Sequence, residues 1–392
     1  MSFDKFFERY KLDKSIVEKN DFNPYYHQLK SSLSDPISID GEDFIDLASN
    51  NYLGLADDER VKEAACRAIK SYGTSLCGTP IATGYIDLFK AVEDKLSKFV
   101  GLEASILLPS CYQANNGLFS AIVGKEDLII VDHYAHSSLI EGIKAAGCKI
   151  RPFLHNNMEH LEQILKQASK YRQYFIVTES VFSTDGTISP FKEIVALASK
   201  YNALPIIDDS HGLGVIGKSG KGILEEASIG NYGGIYTASL GKAFANSGGI
   251  IAGPNSIIEY LRYYCPHLVY STALPPAALG GIEKVIDIIE TDFKAITNRM
   301  WNYRNTISKC LASNGFKLAD GKAPITSIVS GSSEATIILA KKFYENKILT
   351  TPFIAPSVPF NQGKVRLIAG ANLKEESIEK VLKIIKKIGM EL

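Results

Sequence analysis

The chain has 392 residues, with 43 Lys and Arg against 43 Asp and Glu and so a formal net charge of zero. That balance excludes the basic footprint with which nucleic acids and anionic membrane surfaces are held. At 45% hydrophobic and 22% charged residues the composition is that of a globular chain with a large core, not of a disordered one.

Cys66, Cys77, Cys111, Cys148, Cys265 and Cys310 form no C-x-x-C pair, and the start lacks an apolar leader. Reduced thiols, no bound metal and a cytoplasmic location are the expectation. No apolar run approaches the roughly 18 residues of a membrane span. In chain order, Phe3, Phe6, Phe7 and Tyr10 share one helical face within an N-terminal segment, residues 1–45, read as packing on the body or on a partner subunit. Leu88, Val92, Leu96 and Phe99 then recur at helical spacing, followed by the run Ile106 to Leu108, a helix from Ala114, the run Leu128 to Val131, a helix from Ser137, and the runs Phe175 to Val177 and Leu204 to Ile207. Continuous apolar runs separated by helices are strands buried on both faces, which predicts an α/β domain with a mostly parallel sheet over residues 46–275. Residues 276–392 read as a long helix carrying Ile282, Ile289, Phe293 and Ile296, then a smaller C-terminal α+β domain: strand Ile325 to Ser330, helix Ala335 to Tyr344, strand Val365 to Leu367 and helix Glu375 to Ile388.

Gly212 to Gly217 satisfies G-x-G-x-x-G, and Gly212 to Ser219 satisfies G-x-x-x-x-G-K-[ST]. Both nucleotide motifs need a helix to begin directly after the loop, so that its free N–H groups hold phosphate. Here Gly220 and Gly222 follow, and the next apolar run, Gly234 to Thr237, ends without the acid that either site requires. A glycine-rich turn is the better reading.

The chemistry gathers elsewhere. Lys242 follows a short strand among small residues, where desolvation favours a nucleophilic amine able to form a Schiff base. Asp208, Asp209 and His211 follow the buried run ending at Ile207, and carboxyl ends of strands are where ligands bind in an open α/β sheet. Ser110, Cys111 and Tyr112 open a helix whose N-terminal amides suit an anion. Strand-end acid, helix N-terminus and lysine are what pyridoxal 5'-phosphate needs: a partner for its ring nitrogen, a phosphate cradle and a Schiff-base amine.

The segments Ser49 to Leu55, Ser110 to Asn115, His136 to Ser138, Glu179 to Gly186, Asp208 to Gly212, Lys242 to Phe244, Tyr270 to Pro276 and Val365 to Leu367 cover nearly the whole chain. In order and wording they resemble the α-oxoamine synthases, pyridoxal-phosphate enzymes of the aspartate-aminotransferase fold (fold type I) that condense an amino acid with an acyl-CoA. The resemblance implies a homodimer with shared active sites. It implies that Lys242 carries the cofactor and abstracts the amino acid's α-proton, that Asp208 pairs with the ring nitrogen and that His136 stacks on the ring. His211 and Ser183 would lie near the ring hydroxyl and the substrate carbonyl, with Glu179 in the same cofactor-binding set. Ser239, the amides of Cys111 and Tyr112, and Ser271 or Thr272 of the second subunit would hold the phosphate, and Arg366 and Asn50 the amino-acid carboxylate. Phe89 stands where the family usually has a histidine, and Leu76, Ile81, Phe89, Phe353 and Ile354 favour a long apolar acyl chain. A simple aminotransferase of the same fold, working without acyl-CoA, is the alternative.

Overall fold

The computed structural model describes residues 18–168 and 171–391; the face of Phe3, Phe6, Phe7 and Tyr10 lies outside them. A short antiparallel pair, β1 (Ile37–Ile39) and β2 (Glu42–Asp46), is followed by α1 (Glu59–Tyr72) and α2 (Asp87–Val100). Strands and helices then alternate: β3 (Ala104–Leu108), α3 (Cys111–Ile122), β4 (Leu128–Asp132), α4 (Ser137–Ala146), β5 (Lys149–Phe153), α5 (Met158–Gln167), β6 (Tyr174–Glu179), α6 (Phe191–Lys200) and β7 (Ala203–Asp208). Next come β8 (Ile235–Ser239), β9 (Gly249–Gly253), α7 (Asn255–Tyr264) and α8 (Pro276–Ser313), and last β10 (Thr326–Gly331), α9 (Ser333–Glu345), β11 (Ile348–Leu349), β12 (Thr351–Phe353), β13 (Gly363–Leu367) and α10 (Glu375–Gly389).

Two compact units form. The larger comprises Asn50–Ser183 and Thr187–Met300; the smaller comprises the described residues up to Ser49, Thr184–Gly186 and those from Trp301 onward.

In the larger unit seven strands run in the order β3-β9-β8-β7-β6-β4-β5. The neighbours β5, β4, β6, β7 and β8 pair in parallel, and β9 is antiparallel to both β8 and β3. Ile129, Val131, Phe175, Val177, Ile206, Ile235 and Ile251 bury one face of the sheet against Leu118 and Phe119 of α3 and Leu139 and Ile143 of α4. Burial on both faces explains why these strands read as unbroken apolar runs. Parallel pairing also sets the carboxyl ends of β4, β6, β7 and β8 along one edge. Edge strand β5 is only partly buried and tolerates Pro152, which has no N–H to donate.

The smaller unit holds two three-stranded sheets, β1-β2-β11 and β10-β13-β12. Its core joins Tyr303, Ile307 and Leu311 of α8 to Phe343 of α9, Val365 and Leu367 of β13, and Val381 and Ile385 of α10.

The refused nucleotide motifs lie in a run of turns between β7 and β8, with no helix directly after Ser219. The loop's donors are already occupied: Glu225 accepts from the Ser219 backbone N–H at 2.9 Å, the Ser219 hydroxyl at 2.7 Å and the Lys221 N–H at 3.3 Å. A carboxylate of the chain itself fills the place a phosphate would need.

Candidate active site

Register places the site's polar groups before any side chain is considered. Glu179 of β6 pairs with Asp208 of β7, which pairs with Thr237 of β8. Side chains directly opposite one another share a face, and successive ones alternate, so Asp208 and Asp209 point to opposite sides of the sheet.

On the first side, Asp208 Oδ2 accepts from Asn115 Nδ2 at 2.7 Å and Oδ1 from the Ser210 backbone N–H at 2.9 Å. Asn115 is fully buried on α3; its amide also donates to Ser138 Oγ at 2.9 Å, and its carbonyl oxygen accepts from the Thr237 hydroxyl at 2.8 Å. Every hydrogen-bonding end of that amide thus has a partner, which fixes its rotamer and with it the Asp208 carboxylate. Cys111, one helical turn before Asn115, lies 3.9 Å from Asp208 Oδ2. Burial, then the Asp208 charge, push its thiol well above the ordinary range, so it stays an S–H donor. The Ser210 hydroxyl donates to Cys111 Sγ at 3.4 Å and accepts from the Ser239 N–H at 2.9 Å, tying β8 into the same network.

His136 caps α4. Its Nδ1 accepts from the Ser138 N–H at 3.2 Å and lies 2.8 Å from Ser138 Oγ, so a neutral ring carries its proton on Nε2. Burial holds this histidine below its ordinary pKa; Asp208 opposes that shift and Lys242 adds to it. The backbone N–H of His136 donates to Glu179 Oε1 at 2.7 Å. Burial, reinforced by Asp208, holds the Glu179 carboxyl well above the usual carboxylate range, with the Lys242 charge pulling it back. Lys242 therefore acts electrostatically on Cys111, His136 and Glu179 together. Its turn is closed by the Leu240 N–H on the Gly248 carbonyl at 3.0 Å and by the Ala245 N–H on Lys242's own carbonyl at 2.9 Å. His211 is buried, with Nδ1 2.8 Å from the hydroxyl of the fully buried Tyr52.

The first turn of α3 is capped by Ser110, whose hydroxyl accepts from the Gln113 N–H at 3.2 Å. The N–H groups of Cys111 and Tyr112 have no acceptor within the helix, as at any helix start. Beneath them lies Gly249 of β9, where a Cβ would come within 2.5 Å of the Cys111 nitrogen and Cα. Ser271 Oγ of the same chain accepts from Gln113 Nε2 at 3.2 Å, while Thr272 is exposed. Asn50 contributes a side-chain oxygen that is buried with no hydrogen-bond partner among the described residues.

Ser183 stands in a hairpin leaving β6, closed by the Phe182 N–H on the Thr187 carbonyl at 2.9 Å. The hairpin tip belongs to the smaller unit: the Thr184 carbonyl accepts from the Ser327 hydroxyl at 2.7 Å, and Asp185 pairs with Lys364 at 3.1 Å. Arg366 belongs to that unit too, buried on β13 with its guanidinium carbon 5.0 Å from the Phe353 ring centroid.

On the other side of the sheet, Asp209 accepts from the Tyr236 hydroxyl and the Ile223 N–H, both at 2.9 Å. Burial pushes this carboxyl up to about 7. Any side chain at Gly212 or Gly222 would strike it. His155 is engaged by the buried Asp132 at 3.1 Å and by Thr187 at 3.0 Å; His160 accepts from the Leu154 N–H at 3.0 Å. Neither joins the Asp208 cluster. Phe89 lies in the core of the larger unit, 5.5 Å from the Tyr85 ring. Asn115, Ser138, Ser210, Thr237 and Tyr52 are the groups that reading the sequence left without a role. The spacing of Asn115 from Cys111, i to i+4 on one helix face, was the available signal.

The family model of class I and II aminotransferases matches residues 42–385. An 8-amino-7-oxononanoate synthase of Thermoanaerobacter pseudethanolicus is 36% identical over 355 residues, covering 90% of each chain. An 8-amino-7-oxononanoate synthase of Bacillus velezensis is 30% identical over 388 residues, covering 99% of each. Among solved structures, the serine palmitoyltransferase of Sphingomonas wittichii matches with a TM-score of 0.93 at 26% identity, covering 99% of this chain and 97% of that one. The 8-amino-7-oxononanoate synthase of Francisella tularensis matches at 0.76 and 28% identity, covering 89% of this chain and 98% of the other. The fold is the aspartate-aminotransferase-like one, with a mostly parallel seven-stranded sheet. The chain belongs to the class I and II aminotransferase family and, within it, to the α-oxoamine synthases, pyridoxal 5'-phosphate-dependent acyltransferases that join an amino acid to an acyl thioester.

Proposed function

We propose that this enzyme condenses a small amino acid with an acyl-CoA, giving an aminoketone and free CoA, as a cytoplasmic homodimer. The observation that carries the reading is the convergence of Lys242's charge with Asp208, His136, Glu179 and Cys111 at the carboxyl edge of the parallel strands.

The residues present fit pyridoxal 5'-phosphate. Gly249 leaves the first turn of α3 bare of side chains from below, so the N–H groups of Cys111 and Tyr112, with Ser239 and with Ser271 or Thr272 of the second subunit, would hold the phosphate. Asp208, held by Asn115 and Ser210, would pair with the ring nitrogen; His136 would cover the ring, with Glu179, His211 and Ser183 around it. When bound, the cofactor supplies an electron sink for the carbon next to the amino nitrogen. Lys242 Nζ would accept the α-proton, acting as general base. Arg366 offers a carboxylate a bidentate fork, and the unpartnered Asn50 oxygen leaves that side chain open to a substrate donor.

Assembly is supported by exposed aromatics, the residue type enriched at interfaces. Tyr112 lies in the first turn of α3, and Tyr263, Tyr264 and Tyr270 in the segment leading to Ser271, all between 48% and 85% exposed. The six cysteines are all unpaired, as a reducing compartment would leave them. Among the described residues no helix is long and apolar enough to cross a membrane.

Borohydride treatment of the holoenzyme followed by peptide mapping should place a pyridoxyl mass on Lys242. The unreduced enzyme should release free CoA thiol from an acyl-CoA only when glycine, alanine or serine is present. Transfer of the amino group to a 2-oxo acid, with no thiol released from any acyl-CoA, would overturn the reading.

A further inference from the structure

The smaller unit contains a cavity of about 590 Å³. Tyr25, Leu29, Ala48, Pro352, Phe353 and Ile354 supply much of its wall, and the remaining residues are of the same apolar or uncharged kind. No lysine, arginine, aspartate or glutamate lines it among the described residues. His27 also lines it; its pKa is lowered by burial and only partly restored by Asp40, so it is neutral near pH 7. Phe353 belongs both to this wall and to the Arg366 contact, so a single side chain separates the cavity from the guanidinium.

We propose that this cavity receives the acyl chain of the thioester and selects chains whose far end is apolar and uncharged. The inference rests on the reading above, in which Arg366 holds the amino-acid carboxylate. In the condensation the amino acid's α-carbon gives up a proton to Lys242 and forms a bond to the acyl carbon; the C–S bond breaks and CoA leaves as the thiol. The acyl chain therefore begins one bond from the carbon whose carboxylate sits on Arg366, beside the Phe353 wall. Here the chain differs from what the name of its synthase relatives describes, since 8-amino-7-oxononanoate ends in a carboxylate. Such an end in this cavity would find no lysine or arginine in the described lining to offset its lost solvation.

Two of the predicted apolar residues, Phe353 and Ile354, line this cavity. Leu76, Ile81 and Phe89 belong to the larger unit and are not part of this wall; Ile81 is exposed and Phe89 is core.

The test measures kcat/KM for CoA release by the holoenzyme with one fixed amino acid across acetyl- to dodecanoyl-CoA, together with 6-carboxyhexanoyl-CoA. Each methylene should raise the value by up to about fourfold until the cavity is full, and octanoyl-CoA should exceed 6-carboxyhexanoyl-CoA by at least about 100-fold. Ile354→Lys should narrow that octanoyl to 6-carboxyhexanoyl ratio at least tenfold, and Ala48→Phe should shorten the optimal chain by two or more carbons. Both are ratios within one protein, so partial loss of folded enzyme does not blur them. A flat chain-length profile, equal use of the carboxylated chain, or ratios unmoved by both substitutions overturns the proposal while leaving acyl transfer standing. Absence of CoA release with every thioester removes the underlying reading and this proposal with it.

Discussion

The Asp208 cluster and the apolar cavity solve opposite problems. Around Asp208 the larger unit spends Asn115, Ser138, Ser210 and Thr237 on one another, so the carboxylate and its supports are held in one arrangement. Around Phe353 the smaller unit offers a mostly apolar wall with no lysine, arginine, aspartate or glutamate among the described residues. A group that is the same in every turnover suits the first kind of site, since its recognition can be fixed by a closed set of donors and acceptors. A chain that must slide in to a given depth suits the second, because apolar burial grades smoothly with length. The difference teaches that substitutions in the two regions should fail differently, by loss of rate in one and change of preference in the other.

The sharpest way to break this contrast is at Asp208. Asp208→Asn keeps the size but removes the charge proposed to face the ring nitrogen, and kcat should fall on the order of 10²–10³-fold, as for loss of a preorganised electrostatic group, with little change in the ratio between long and short acyl-CoAs. A changed chain-length ratio in a stopped-flow series would mean that the two regions are not separable.

Arg366 sharpens it from the other side. Arg366→Ala should weaken amino-acid binding by about 2–3 kcal/mol, the range for a hydrogen-bonded charge left without its partner, while cofactor absorbance remains. Titrating glycine, alanine and serine into the variant checks this: affinity within a few-fold of the parent would place the carboxylate elsewhere.

The smallest effect concerns stability. Asp209 titrates near 7 in the fold against an ordinary value near 3.8. Between those values the folded chain keeps a proton that the unfolded chain has lost, so stability falls as pH rises through that window and levels off above it. The slope is at most about 1.4 kcal/mol per pH unit. Asp209→Asn, followed by urea unfolding at pH 5, 6, 7 and 8, should show a shallower decline than the parent; identical slopes would assign the proton elsewhere.

Most of the strand layout was legible because burial on both faces writes itself as apolar runs: Leu128 to Val131, Phe175 to Val177 and Leu204 to Ile207 fall within β4, β6 and β7. The long helix was legible too, since Ile282, Ile289, Phe293 and Ile296 are all buried on α8. Strand β9 was not, because Gly249 and Gly253 carry no side chain and its place is set by its neighbours β3 and β8. Lys242, Asp208 and His211 could be named from the residues around them, and His136 only through the family resemblance. The network joining them could not, because Cys111, Asn115 and Thr237 meet only through helix pitch and strand register, which a linear reading does not combine.

Gly249 ties these threads into a shared point of failure. It pairs with Leu108 on one side and Ser239 on the other, and the first turn of α3 rests on it with no room for one methyl group. A single added carbon there would push Cys111 and Tyr112 up from the sheet, tilting the helix that carries Asn115 and pulling its amide away from Asp208. The same displacement would open the proposed anion cradle and loosen the carboxylate proposed for the ring side, two roles that lie far apart along the chain. If the proposed acyl site holds, a population drifting by point substitution can exchange much of the lining near Phe353 and acquire new acyl preferences, yet it has almost no neutral route through position 249.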